Sequence, residues 1–262
     1  MLELSQQEAH RERINMQKEL LTSRLLGLGL QLTFAALSLL SVAEPHAQDI
    51  DYAKILMDNA RSEEDRKADS GRKPVEFLKF TQIKPAMNVL DLAAGGGYTT
   101  ALLSLVAGPN GHVWAQLNKP SEALTTRLGN NPGNIKVLIT PFDDPAPSSL
   151  PKMDLITLVL SYHDIAFMPL NRQTMNQALF NALKSGGTLI LIDHSAKPGT
   201  GLQDIKTIHR IDEATVIEDF KSVGFVLQSQ SDDWRNPNDP RDTIFSKMTQ
   251  PDDRFALRFI KP

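Results

Sequence analysis

The chain has 262 residues, 41% of them hydrophobic and 23% charged, with a formal net charge of −3. That length suits one α/β domain of about 200 residues plus an extension. The near-neutral balance, with no long Lys/Arg block, argues against a nucleic-acid partner, which calls for a concentrated basic surface. The absence of cysteine removes disulfides, thiolate zinc sites and cysteine nucleophiles together.

In chain order, the first fifteen residues are highly charged, so Met16 is an alternative start. Leu25 to Ala43 then carries no charge and is preceded by Lys18 and Arg24. A positive flank, an apolar core and small residues at Ser41-Val42-Ala43 form the pattern of a secretory signal cleaved after Ala43 or Ala47. The apolar run is close to spanning length, so an uncleaved anchor or a soluble helix are the alternatives. We expect residues 1–47 to be an extension and signal peptide and residues 48–262 the folded domain. The mature protein would then be periplasmic or secreted, without stable membrane insertion.

Asp51 to Asp69 is polar and helix-compatible, and Val75–Phe80 reads as a short helix. Strand signals follow at Asn88–Leu92, His112–Leu117, Ile135–Thr140, Asp154–Leu160, Thr188–Asp193, Phe225–Ser229 and Phe255–Ile260. Helical segments are expected at Thr99–Val106, Ser121–Leu128, Gln173–Leu183 and Asp212–Val223. This alternation describes a largely parallel sheet covered on both faces. Asp143–Leu150 is proline-rich and reads as loop. Asp232 to Asp253, rich in Asp, Pro and Asn, reads as a long loop joining the last two strands into an antiparallel hairpin.

The strand ending at Leu92 runs into Ala93-Ala94-Gly95-Gly96-Gly97 and then a helix. Glycine admits positive φ and close approach of a ligand to the backbone, and the helix N-terminus presents free N–H groups. No G-x-G-x-x-G frame fits, which argues against a dinucleotide-binding oxidoreductase, and no Gly-Lys-Ser/Thr follows as a P-loop would require.

The run Val89-Leu90-Asp91-Leu92-Ala93-Ala94-Gly95-Gly96-Gly97-Tyr98 resembles the first motif of class I S-adenosylmethionine (SAM)-dependent methyltransferases, with Ala93 in place of the first glycine. Ser161-Tyr162-His163-Asp164, Ile192-Asp193-His194, His209-Arg210-Ile211-Asp212 and the closing Arg254-Phe255 and Lys261-Pro262 resemble a group of bacterial methyltransferases often carrying signal sequences. The resemblance spans roughly Pro74 to Pro262. It implies a Rossmann-like seven-stranded methyltransferase sheet, mostly parallel with a C-terminal antiparallel hairpin, and S-adenosyl-L-methionine as cofactor. It places the methionine end of SAM over Ala93, Gly95 and Gly97, with Asp91 on its ammonium directly or through water. An acidic residue that normally ends the second strand and holds the ribose is replaced here by Gln116 or Asn118, which offer only an amide oxygen. Asp143, ahead of Asp144, matches the position that commonly touches the adenine amino group.

Ligands in open α/β sheets sit at the carboxyl ends of strands near the switch in strand order. The fourth strand leads to His163 and Asp164 and the fifth ends at Asp193 and His194, so these residues are the candidates for catalysis. A histidine titrating near neutral pH suits proton removal from an O–H or N–H acceptor; the alternative is that the His–Asp pairs hold strand ends together. Arg210 would bind an anionic substrate group or pair with Asp212. The spacing of His163, His194 and His209 does not itself indicate a metal, and none is expected. The reading is a methyltransferase acting on a small molecule. The alternative is an exported cofactor- or ligand-binding protein on the same fold with little catalysis.

Overall fold

The computed structural model describes residues 50–129 and 133–262, so the signal-peptide expectation falls outside the described residues. The sheet is built from β1 (Asn88–Leu92), β2 (His112–Leu117), β3 (Ile135–Ile139), β4 (Met153–Val159), β5 (Leu183–His194), β6 (Val226–Ser231) and β7 (Arg254–Ile260). Its order is β3-β2-β1-β4-β5-β7-β6. β1 to β5 are parallel, and β7 runs antiparallel to both β5 and β6. The helices are α1 (Tyr52–Leu56), α2 (Glu63–Arg72), α3 (Pro74–Thr81), α4 (Tyr98–Ala107), α5 (Glu122–Leu128), α6 (Tyr162–Phe167), α7 (Arg172–Ala182), α8 (Ile205–Ile208) and α9 (Glu213–Lys221). Among the described residues no helix is long and apolar enough to cross a membrane.

Successive residues of a strand point to opposite faces, and here both faces are apolar. In β5, Leu189 and Leu191 join the cluster under α6, α7 and α9, with Phe220, Phe255 and Phe259. Ile190 and Ile192 face the other way into the cluster under α3 and α4, with Phe77, Leu102 and Val106. This is the burial expected of a parallel sheet sandwiched between helices. The strand order reverses between β1 and β4, so the crevice at their carboxyl ends is the natural ligand position.

The helix-compatible segment Asp51–Asp69 divides into α1 and α2, and the elements otherwise match the expected ones closely except in three places. β5 begins at Leu183 rather than Thr188, because Leu183 pairs with Met153 across a register shift in β4. The segment after β4 turns into α6, which buries Tyr162 and Ile165, instead of remaining a simple strand end. The four-residue helix α8 was not anticipated; so short a turn leaves no periodicity to detect.

Phe220 is fully buried, with ring centroids 5.4 Å from Tyr162, 5.5 Å from Phe225 and 5.1 Å from Phe259. We expect Phe220→Ala to destabilise the domain by about 3–5 kcal/mol, the usual effect of emptying an aromatic core site, read as a lowered urea midpoint at unchanged slope.

Candidate active site

The turn after β1 is held in an uncommon backbone. Ala93, Gly95 and Gly97 all have positive φ, at 54°, 57° and 81°. A side chain at Gly97 would also strike Leu124, 2.6 Å from the added carbon, whereas a Cβ at Gly95 would have only the Ala93 carbonyl oxygen nearby, in ordinary contact at 3.9 Å. Gln116 fixes the turn from beneath: its Oε1 accepts from the Ala93 N–H at 3.1 Å and its Nε2 donates to the Thr140 carbonyl at 2.8 Å. Gln116 is fully buried, and both ends of its amide are thus engaged inside the protein. Asn118 is exposed and lines a cavity of about 320 Å³ with Ala93, Gly95, Leu117 and Phe142. Asp143 and Asp144 line a separate groove against Gln173 and Thr174 of α7. Phe142, overlooked in the sequence because the charged pair follows it, is the residue of this loop that reaches the glycine turn.

Asp91 lies under the turn with both oxygens hydrogen-bonded, to Thr100 Oγ1 at 2.5 Å and Thr157 Oγ1 at 2.8 Å. Burial raises its pKa to about 6, against the pull of the two threonine hydroxyls and the Arg72 charge. Arg72 is stacked 5.5 Å from the Tyr98 ring centre and has no hydrogen-bond acceptor among the described residues. Burial and the neighbouring Arg254 charge lower its pKa, while Tyr98 and Asp91 pull it up.

α2 is strapped over the same turn. Ser62 and Asp65 form a reciprocal cap at its start. The Asp65 carboxylate also takes both terminal nitrogens of Arg127, at 2.6 and 2.7 Å, and Arg127 Nε donates to the Gly96 carbonyl at 2.6 Å. One helical turn on, the Asp69 carboxylate accepts from the Tyr98 hydroxyl at 2.7 Å and from Arg61 Nη1 at 3.0 Å.

Three histidines gather beyond the ends of β4 and β5. The Asp193 carboxylate, completely buried, takes the His163 backbone N–H at 2.8 Å and the His163 ring Nδ1 at 2.7 Å. The opposite ring nitrogen, Nε2, lies 3.3 Å from Asp164 Oδ1, and that same oxygen is 2.8 Å from His209 Nδ1. Burial alone would lower the pKa of His163, but the Asp193 bond and the charges of Asp193 and Asp164 outweigh it and leave it raised. His194 is bonded through Nδ1 to Asp252 and stacked on Phe245, ring centres 3.9 Å apart. For His194 burial prevails over the Asp252 bond and the nearby carboxylates, lowering its pKa. Asp252 is held below the usual carboxylate range despite burial by His194 and Arg254. Hydrogen bonding therefore assigns the Nδ1–H of His194 to Asp252 and leaves the Nε2 lone pair without a partner among the described residues.

The structure brings His163, Asp164 and His194 together as the strand ends suggested, with the rings of His163 and His194 at 5.4 Å. The partner of His194, however, comes from the far end of the long loop. Arg210 pairs with neither a ligand-facing surface nor Asp212. It is buried and donates to Asp239 Oδ2 at 2.8 Å, the Ser195 carbonyl at 2.9 Å and the Thr243 carbonyl at 3.0 Å, pinning the Asp232–Asp253 loop to the end of β5.

No protein-family model and no curated relative matches the sequence. Among solved structures the chain is similar to a SAM dependent methyltransferase from Aquifex aeolicus, with 18% identity over 81% of this chain and 100% of that one and a TM-score of 0.53. It is also similar to the N-methyltransferase NodS from Bradyrhizobium japonicum WM9, with 16% identity over 76% of this chain and 99% of that one and a TM-score of 0.52. At these identities the likeness establishes the fold: a seven-stranded Rossmann-like methyltransferase sheet with its C-terminal antiparallel strand.

Removing one partner of a buried pair leaves the other charge uncompensated. We expect Arg210→Ala to destabilise the protein by about 3–5 kcal/mol in chemical unfolding, because it leaves the buried Asp239 carboxylate without its counter-charge.

Proposed function

We propose that this chain is a SAM-dependent methyltransferase acting on a small molecule. The observation that carries the proposal is the β1 turn: an open approach over Gly95, a buried carboxylate beneath it and a guanidinium without an acceptor beside it. The residues present fit the cofactor. Asp91 complements its ammonium, Arg72 its carboxylate by a charge-assisted pair, Asn118 its ribose hydroxyls and Phe142 its adenine face. SAM, when bound, supplies the methyl group. The protein contributes alignment and proton removal. His194, its Nδ1–H fixed by Asp252, offers Nε2 as the proton acceptor for an O–H or N–H acceptor molecule. His163, oriented by Asp193, stands at its side. The charge-free stretch Leu25–Ala43 supports export of the mature domain, which N-terminal sequencing of material recovered outside the cytoplasm tests directly.

Calorimetry with SAM and S-adenosylhomocysteine is the deciding experiment. We expect one-to-one binding, and its absence at high micromolar concentration would overturn the reading. Gly95→Val forces a β-branched residue into positive φ and should weaken SAM more than tenfold. Arg72→Gln, removing a charge-assisted bond worth about 1.5–3 kcal/mol, should weaken it by at least tenfold.

Asp91 sets a pH dependence with a definite sign. Its raised pKa means that below about pH 6 the carboxyl is protonated and loses its attraction for an ammonium group. SAM affinity should therefore fall as pH drops from 7 to 5, and Asp91→Asn should flatten that profile. In the ligand-free protein the same shift acts oppositely: the stability it confers is complete below pH 3.8 and disappears as pH rises to about 6.

Against a panel of small hydroxyl and amine acceptors, His194→Gln should lower kcat by about 10²–10⁴ and leave the SAM Kd unchanged. Full turnover in that variant would remove His194 from the chemistry, and binding with no turnover by the wild-type protein on any acceptor would favour a ligand-binding role.

A further inference from the structure

We propose that His163, Asp164 and His209 form a binding site for a divalent transition-metal ion of the zinc type, held by two imidazoles and one carboxylate. The donor atoms of these three residues all lie within 4.8 Å of one another.

The first argument is orientation. Asp193 takes the Nδ1 side of His163 at 2.7 Å and its backbone N–H at 2.8 Å, so the ring cannot turn and its Nε2 is aimed outward. A carboxylate on the far nitrogen of an imidazole is the usual outer support of a metal-bound histidine. Asp193 is fully buried and sits at the end of β5, which makes that support rigid.

The second argument is spacing. Metal–donor bonds of about 2.0–2.2 Å place neighbouring donors about 2.8–3.1 Å apart at right angles and about 3.3–3.6 Å apart in a tetrahedron. Asp164 Oδ1 is 2.8 Å from His209 Nδ1 and 3.3 Å from His163 Nε2, both within that overall range of donor separations around one ion.

The third argument is access. Asp164 and His209 keep side-chain exposures of 53% and 42%, whereas His163 keeps 2%. The site is anchored on its inner side and open on its outer side, the arrangement in which three protein ligands leave positions for an incoming group. Two imidazoles and a carboxylate suit zinc, cobalt or iron better than magnesium or calcium, which prefer all-oxygen shells. The His194 ring lies 5.4 Å from that of His163, so the proposed ion would stand beside the candidate proton acceptor. That role toward a methyl acceptor rests on the methyltransferase reading, while the metal site itself does not.

The test uses the full-length chain after chelator treatment, titrated with Zn²⁺ by calorimetry and with Co²⁺ by visible absorption. We expect one ion per chain. Asp164→Ala and His209→Ala, both partly exposed and safe for folding, should each weaken it at least tenfold, a loss in the range known for residues around metal sites. His112→Ala, an imidazole outside the cluster, should not change it. No binding tighter than about 100 μM, or binding unchanged in both cluster variants, would overturn the proposal; the first result would mean that His163 is instead a protonated imidazolium between two aspartates. SAM calorimetry on the same samples separates the two readings. Ion binding without SAM binding upholds the metal site and defeats the methyltransferase, and SAM binding without ion binding does the reverse.

Discussion

A parallel sheet buried on both faces leaves only its strand ends free to carry chemistry. That constraint orders everything else in this protein. The central strands are apolar runs, and the buried polar residues toward their carboxyl ends include Asp91 on β1, Gln116 on β2, Thr157 on β4 and Asp193 on β5. Each lies in the carboxyl-terminal half of its strand and each is hydrogen-bonded, because an unpaired polar group at such depth costs several kcal/mol. Thr157 satisfies Asp91, Gln116 satisfies the Ala93 N–H, and Asp193 satisfies His163 twice. The scaffold and the site are therefore one hydrogen-bonded layer.

A second layer closes over this one from two distant parts of the chain. From the amino-terminal side, α2 reaches the glycine turn through Asp65 and Arg127, and Asp69 reaches Tyr98. From the carboxyl-terminal side, the Asp232–Asp253 loop brings Phe245 and Asp252 to His194. That loop has little apolar content of its own; the buried Arg210–Asp239 pair, with the Asp253 N–H also bonded to Asp239 at 2.6 Å, gives it a fixed path. Arg254 ties the two sides together, holding Asp252 at 2.7 Å and the Gly71 carbonyl at 2.9 Å.

Strands and the β1 turn were legible because they depend on local signals: apolar runs of strand length, glycines and the acidic residue before them. His163 and His194 were legible because one follows β4 and the other ends β5, strands whose direction was known. The rest depended on contacts distant in sequence. Nothing local distinguishes Asp252 from its neighbour Asp253, and its role arises only when β7 pairs with β5 and sets Arg254 opposite His194. Gln116 and Asn118 were equivalent by position, but β2 ends at Leu117, so Gln116 lies buried within the strand against the Ala93 N–H and Thr140 while Asn118 falls beyond the strand end and is exposed. Arg210 read as a binder of an anionic substrate group or a partner of Asp212 because its true partner, Asp239, comes from a loop 29 residues away. Asp164 and His209 lie 45 positions apart, so no spacing rule could have joined them.

The placement of β7 carries a consequence for how the chain is made. Among the described residues, β7 follows every other strand in sequence, yet it lies between β5 and β6 and is the sole strand partner of β6. Synthesis proceeds from the amino terminus, so the exposed edge of β5 and the whole of β6 remain unpaired until residues 254–260 have emerged. The five parallel strands can pair as they emerge, whereas the β5 edge and β6 are completed together in one late event.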